Sequence, residues 1–133
     1  MNHFSVKEAE MMIPEFEKIF ESIAELVAQI ELKAADLRRR QNVDDHDFAG
    51  AEIARSQIQF LARGVDGWLM KISDHGAFTK GVNPALVDFP HRLEGRDVYL
   101  CWRLGEKKIT HYHGTDEGFS SRKPLPYRAP REI

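Results

Sequence analysis

The spacing of apolar residues along the first third of the chain constrains the fold more than any other feature. Between Val6 and Leu37 these residues recur at alternating steps of three and four: Val6, Ala9, Ile13, Phe16, Phe20, Ile23, Val27, Ile30, Ala34 and Leu37. The mean step of about 3.5 residues keeps a single seam of a helix against a partner helix. The pattern therefore predicts one long helical segment that packs along another.

Local signals place the ends of this segment. Ser5 and Glu8 have the S-x-x-E spacing of a capping box, in which each side chain accepts a hydrogen bond from the other residue's backbone N–H. The basic run Arg38–Arg40 suits a helix C-terminus. Pro14 lacks the N–H that a helix interior needs. We therefore expect either a kink at Pro14 or a short helix over 6–12 that leads into a longer one.

A second helical run follows the polar segment Gln41–Asp47, which is predicted to be a loop. Its apolar residues again alternate at steps of three and four: Ala51, Ala54, Ile58, Leu61, Val65, Trp68 and Ile72. Two such helices joined by a short loop form an antiparallel hairpin.

Both helices carry more apolar residues than their shared seam can bury. The surplus comprises Met12, Ile19 and Leu26 on the first helix and Ile53, Phe60 and Met70 on the second. Unburied rows of this kind must be covered by a sheet, by another subunit or by both. We therefore expect a homodimer through the helices.

After Asp74 the apolar period shortens toward two, which is typical of strands. Four strands are predicted: Ala77–Lys80, Leu86–Phe89, Asp97–Leu104 and Ile109–His113. Turn-like segments separate them at Gly81–Pro84, Leu93–Arg96 and Gly105–Lys108, and Pro90 is expected to end the second strand.

The third strand alternates clearly, with Val98, Leu100, Trp102 and Leu104 on one face and Tyr99, Cys101 and Arg103 on the other. A symmetric turn with Leu104 opposite Ile109 would set Trp102 against His111 and Leu100 against His113. Both histidines would then point toward the helices. A bulged turn would shift the register by one residue and reverse this conclusion.

These elements predict an α+β fold, with a long antiparallel helical hairpin on a small, mainly antiparallel sheet and an irregular C-terminal strap. We expect a single domain over 1–133. The hairpin would occupy about 5–75, the sheet and strap about 76–125, and the tail 126–133.

Composition excludes several classes of protein. The 19 basic and 21 acidic residues give a net charge of -2, so no overall positive field attracts nucleic acid or an anionic membrane. The single cysteine, Cys101, excludes a disulfide framework. No apolar run is long enough to span a membrane, and no secretion signal is recognised. A cytoplasmic protein is therefore expected.

Three blocks of sequence carry a resemblance to a known family. They are Phe4–Glu10 with Ile13–Glu15; Leu86–Pro90 with Gly95–Glu106; and His113, Asp116, Gly118, Phe119, Arg122, Pro124 and Leu125. Together they resemble a prokaryotic family catalogued as domain of unknown function 2203. The resemblance implies a small bacterial cytoplasmic protein whose N-terminal part is helical and whose C-terminal part mixes secondary-structure types. It implies no particular activity. The family is usually aromatic where this chain has His111.

A metal site is one interpretation of the histidines. His111 and His113 lie two residues apart on a strand, so both imidazoles project to one side, as ligands of a divalent cation would. Asp116 or Glu117 would add an oxygen ligand, and His91 a third nitrogen if its loop folds back. Zinc, iron or manganese would suit this mixture. The alternatives are a histidine that packs beside Trp102 or histidines exposed on an edge strand.

A second candidate set comprises Arg103, His113, Asp116 and Arg122. The guanidinium groups would bind a small carboxylate or phosphate. In the competing interpretation, Asp116 pairs with Arg103 or Arg122 and pins the strap to the sheet, and Asp88 joins either arrangement. Cys101 is not favoured as a nucleophile with His113 as its base, because the symmetric register puts the two on opposite faces.

Two functions follow from these patterns. The first is a non-catalytic binding or assembly module that dimerises through its helices and presents the polar Arg/His/Asp site to a small anion or a protein partner. The alternative is a metal-dependent hydrolase in which His111, His113 and Asp116 hold the cation and metal-bound water is the nucleophile.

Overall fold

Two long helices precede five strands along the chain, as a computed structural model of residues 2–41 and 47–126 shows. The elements are α1 (Val6–Gln41), α2 (Phe48–Asp74), β1 (Phe78–Val82), β2 (Ala85–Leu93), β3 (Arg96–Arg103), β4 (His111–Gly114), a 3-10 turn (Phe119–Ser121) and β5 (Lys123–Pro124). The α+β prediction is confirmed. Most of the predicted interhelical loop, and the predicted tail beyond residue 126, lie outside the described residues.

The first helix runs through Pro14 without a break. The alternative with a separate short helix over 6–12 is therefore wrong. Ile13 and Phe16, on either side of the proline, are both buried, and this packing offsets the roughly 3 kcal/mol that an internal proline costs. The capping box forms as predicted, since the Ser5 N–H donates to Glu8 Oε1 at 2.8 Å and the Glu8 N–H to Ser5 Oγ at 3.0 Å.

The chain divides into two compact units. One joins Met1–Lys18 to Lys71–Ile133 and is called the sheet unit here; the other, Ile19–Met70, is called the helical unit. The single-domain expectation stays a prediction. Neither helix is long and apolar enough to cross a membrane within the part of the chain that the structure describes.

In the helical unit, α1 and α2 pack together as a hairpin. Gly64 marks a close approach, because a Cβ atom at this position would lie 3.1 Å from Leu26 Cδ1. Among the described residues, the buried apolar side chains of this unit are Ile19, Phe20, Ile23, Ala51 and Ala54. The helical unit therefore has a small core for its length.

The sheet unit is built on an antiparallel meander in the order β1-β2-β3-β4-β5. The first turns of α1 cover one face, which we call the inner face. There Phe16 stacks on Phe89 with ring centroids 5.8 Å apart, and Phe4 meets Phe89 edge-on at 5.2 Å. Leu100 and Trp102 of β3 lie on the same face and are fully buried.

The hairpin between β2 and β3 agrees with the predicted turn. Leu93 pairs with Arg96, so Glu94 and Gly95 form a two-residue loop. Both have positive φ angles, 51° and 80°, as a type I′ turn requires. This turn fixes the β2–β3 register.

Pro90 does not end the second strand, contrary to the prediction. β2 continues to Leu93, and Pro90 pairs with Tyr99 of β3. On the edge of β2 that faces β1, pairing ends at Phe78–Asp88. Pro90 lies beyond this pair, so its missing N–H leaves no β1 carbonyl without a donor. The carbonyl of Pro90 instead accepts the Phe4 N–H at 2.7 Å. The proline is tolerated because it lies at a local edge of the sheet.

The predicted symmetric register between β3 and β4 is also wrong. Cys101 pairs with His111 and Tyr99 with His113, which shifts every pair by one residue. The connection is a structured loop and not a tight turn: the Trp102 indole donates to the Glu106 carbonyl at 2.9 Å, and the Ile109 N–H to Glu10 Oε2 at 2.8 Å. The two histidines therefore share the face of Cys101, away from Trp102.

Candidate functional site on the outer face of the sheet

Polar side chains from three adjacent strands meet on the face of the sheet opposite Phe16, which we call the outer face. Tyr99, Cys101 and Arg103 alternate onto this face from β3. Asp88 of β2 is the pairing partner of Cys101, and β4 adds its two histidines. The sheet register thus gathers a carboxyl, a thiol and imidazoles in one place.

Asp88 and His113 form a buried pair, each about 2% exposed. His113 Nε2 lies 3.0 Å from Asp88 Oδ1, and His113 Nδ1 lies 2.8 Å from the Gly114 carbonyl oxygen. Because a carbonyl only accepts, Nδ1 carries a hydrogen. Burial raises the pKa of Asp88, although the hydrogen bond with His113 opposes that shift. The sequence pattern allows Asp88 a part in the site, and the structure identifies His113 as its partner.

Cys101 lies beside this pair and is 1% exposed. Burial raises the pKa of its thiol to about 11, so the group is a thiol at neutral pH. The prediction that Cys101 and His113 lie on opposite faces is wrong, because the observed register puts both on the outer face. Both nitrogens of His113 are nevertheless engaged by Asp88 and Gly114, so the imidazole is not placed as a base for the thiol.

A second cluster surrounds Phe119, in the 3-10 turn after β4. The guanidinium of Arg122 lies 4.3 Å from the ring centroid, and that of Arg103 lies 6.0 Å from it. Arg122 also makes a bidentate ion pair with Glu106, at 2.8 and 3.2 Å. The bond to Glu106 raises the pKa of Arg122. Glu106, and not the predicted Asp116, is therefore the ion-pair partner of Arg122.

The remaining predicted metal ligands are not brought together. His91 lies on the inner face, where Nδ1 is 2.6 Å from the Phe4 carbonyl oxygen. Asp116 is exposed in the turn that follows β4. His111 is on the outer face, but its Nδ1 bonds to Thr110 Oγ1 at 2.8 Å. Burial lowers the pKa of His111, and the charge of Arg122 adds to this effect.

A different triad has the composition of a metal site. Asp88, Cys101 and His113 each offer one ligand atom, and these atoms all lie within 4.8 Å of one another. Within 2–41 and 47–126, this is the one group of three or more such residues that meets that distance. His113 is the member that it shares with the predicted set.

The family model described as "Uncharacterized conserved protein (DUF2203)" matches residues 2–125. The chain belongs to this family. The resemblance found in the sequence is thereby confirmed. Neither the curated proteins nor the solved structures contain a match to the chain.

The DUF2203 match spans both clusters of the outer face. The sequence did contain a signal for one member of the buried triad, because Asp88 is the one polar residue in the run Leu86–Phe89. Only the register, which depends on the loop between β3 and β4, shows that the three side chains meet.

Proposed function

We propose that this DUF2203 protein is a non-catalytic assembly module that dimerises through its helical unit and presents arginines of the sheet unit to a small anion. The observation that carries the proposal is the exposed apolar surface of α2. Ile53 is 59% exposed and Phe60 is 75% exposed, far more than a buried seam allows. Apolar surface of this kind marks an interaction site in a soluble protein.

The proposed occupant is a second copy of the chain, because the groove and its rim combine apolar side chains with one positive and one negative charge. A groove of about 430 Å³ in the helical unit is lined by Gln29, Lys33, Glu52, Ile53, Ser56, Gln57, Phe60 and Leu61. A twofold axis beside this groove would let the Phe60 ring of each copy enter the groove of the other. Lys33 and Glu52 carry opposite charges, so each would face its complement across the axis.

The small core of the helical unit supports the same conclusion. Phenylalanine side chains bury roughly 150–250 Å² each and dominate the energetics of many interfaces. A dimer that covers Phe60 and Ile53 would supply the apolar contacts that the hairpin lacks by itself.

Anion binding is assigned to the cluster around Phe119. The exposed Arg103 approaches the ring from β3, whereas the bidentate pair with Glu106 already engages Arg122. The fork of an arginine matches a carboxylate or a phosphate. His113 and Asp88 are buried and hydrogen bonded to each other. The proposed anion would therefore bind to the exposed Arg103.

Dimerisation is tested by analytical ultracentrifugation of the wild type and Phe60→Glu over a range of concentrations. We expect a dimer for the wild type and a monomer for Phe60→Glu, because the charge would be buried in the interface. Phe48→Glu is the matched control: Phe48 is 77% exposed on the same helix but does not line the groove, so this variant should remain dimeric. A monomeric wild type, or a Phe60→Glu dimer of unchanged affinity, would refute the assembly role.

The anion site is tested by titrating inorganic phosphate and acetate into the protein and following the arginine side-chain resonances. We expect saturable shifts at Arg103 and at Arg122, which lies beside the same Phe119 ring, and Arg103→Gln should abolish the shifts at Arg122. Lys107→Gln is the control, since Lys107 is an exposed cation of the same unit. Loss of binding in both variants would show nonspecific attraction, and the absence of saturable shifts in the wild type would contradict the anion site.

A further inference from the structure

We infer that Asp88, Cys101 and His113 bind one Zn²⁺ ion between strands β2, β3 and β4. This inference does not depend on dimerisation or on anion binding. It differs from the predicted metal site in every ligand except His113.

The distances suit a single ion. Zinc binds carboxylate oxygen and imidazole nitrogen at about 2.0–2.2 Å and thiolate sulfur at about 2.3 Å, so ligand atoms around one ion lie about 3–4 Å apart. His113 Nε2 and Asp88 Oδ1 are 3.0 Å apart, and all three ligand atoms lie within 4.8 Å of one another. Small side-chain adjustments would therefore complete the geometry.

The hydrogen bond on the far side of His113 is independent support. Zinc-binding histidines usually donate their other ring N–H to a carboxylate, a backbone carbonyl or a water, and this bond fixes the tautomer and the ring orientation. His113 Nδ1 makes this contact with the Gly114 carbonyl oxygen at 2.8 Å. The remaining nitrogen, Nε2, is thereby directed toward Asp88.

Charge balance also favours a divalent cation. One carboxylate, one thiolate and one neutral imidazole give a charge of minus two, so a bound Zn²⁺ makes the site neutral. Neutrality matters because the three residues are almost completely buried. On binding, the Cys101 thiol proton and the proton shared by Asp88 and His113 leave to solvent.

The neighbouring Arg122 is compatible with this site. Its side chain interacts electrostatically with Cys101, and a cationic N–H donor near a metal-bound thiolate is a common supporting group. The bidentate pair with Glu106 neutralises its positive charge. The mixed sulfur, nitrogen and oxygen donors favour zinc over magnesium or calcium, which prefer oxygen ligands alone.

The test uses the full chain, stripped of metal with a chelator and then titrated with Zn²⁺ by calorimetry. We expect one ion per chain and a higher unfolding temperature, since a cation that binds only the folded state stabilises it. Substitution with Co²⁺ should give a thiolate-to-cobalt absorption band. A wild type that binds no stoichiometric zinc, or a cobalt complex without that band, would overturn the inference.

Variants identify the ligands. Cys101→Ala and His113→Gln should each weaken Zn²⁺ binding by more than the 10–100-fold that loss of a supporting contact causes. His111→Gln is the control and should bind as the wild type does. If His111→Gln loses the ion as well, the assignment is wrong. Circular dichroism of the metal-free proteins separates loss of a ligand from loss of folding, and the wild-type cobalt spectrum decides the matter if a variant does not fold.

Discussion

Replacing Phe16 by alanine tests whether the start of α1 belongs to the core of the sheet unit. Phe16 is 0% exposed and stacks on Phe89 with an interplanar angle of 10°. A phenylalanine buries roughly 150–250 Å², which at about 25 cal/mol per Å² corresponds to about 4–6 kcal/mol of transfer free energy. Alanine keeps the Cβ atom, so the expected loss is about 3–5 kcal/mol of unfolding free energy.

Urea denaturation followed by circular dichroism measures this loss directly. For cooperative unfolding of a chain of 133 residues, a loss of about 4 kcal/mol corresponds to a decrease of about 14 °C in the unfolding temperature. Phe60→Ala provides the control, because Phe60 is 75% exposed. At concentrations where the protein is monomeric, this control should change the free energy by less than about 0.5 kcal/mol.

The comparison can fail clearly. If Phe16→Ala and Phe60→Ala differ by less than about 1 kcal/mol, burial of Phe16 against Phe89 does not contribute about 3–5 kcal/mol to the unfolding free energy. The same chemical change at both positions removes differences in intrinsic helix propensity from the comparison.

Three further predictions concern local structure. Ser5→Ala should raise the pKa of Glu8 only in part: the largest cause of its lowered pKa is the hydrogen bond from the Ser5 backbone N–H, which the variant keeps, and the variant removes only the smaller side-chain contribution. Stability from the side-chain contact is present above the unfolded pKa of Glu8 and is lost as pH falls through the folded one, so the wild-type advantage should decrease in acid to the part that the Glu8 N–H to Ser5 Oγ bond supplies, as NMR titration and thermal unfolding at several pH values would show. Glu94→Asn should stabilise the protein by about 0.5–1 kcal/mol, because asparagine tolerates the positive φ of a type I′ turn; an unchanged urea midpoint would contradict this. Asp47→Ala should destabilise α2, since Asp47 Oδ1 accepts the Gly50 N–H at 2.9 Å; hydrogen exchange at Gly50 would increase.

The helices were predictable because their signal is local and repeated. Ten seam residues of α1 reinforce one another, so a single contrary residue such as Pro14 does not change the result. The β2–β3 turn was predictable for a similar reason, since Gly95 favours the backbone geometry that a two-residue hairpin needs.

Two features were predicted wrongly, the end of β2 at Pro90 and the β3–β4 register, because both depend on contacts between distant parts of the chain. The strand through Pro90 depends on where β1 ends and on the Phe4 N–H. The loop between β3 and β4 depends on Glu10, far away in α1, which accepts the Ile109 N–H. The spacing of residues within a strand does not predict the contact with Phe4 or the contact with Glu10.

The loop between β3 and β4 sets the register of these two strands, and the register determines which side chains meet on the outer face. In a strand every second residue shares a face, so a register shift of one residue exchanges the two faces completely. With His113 opposite Leu100, the imidazole would lie among apolar side chains. With His113 opposite Tyr99, it meets Asp88 and Cys101. The metal hypothesis thus remains for His113, but its partners change because Glu106 and Glu10 hold the loop in a longer conformation than a symmetric turn.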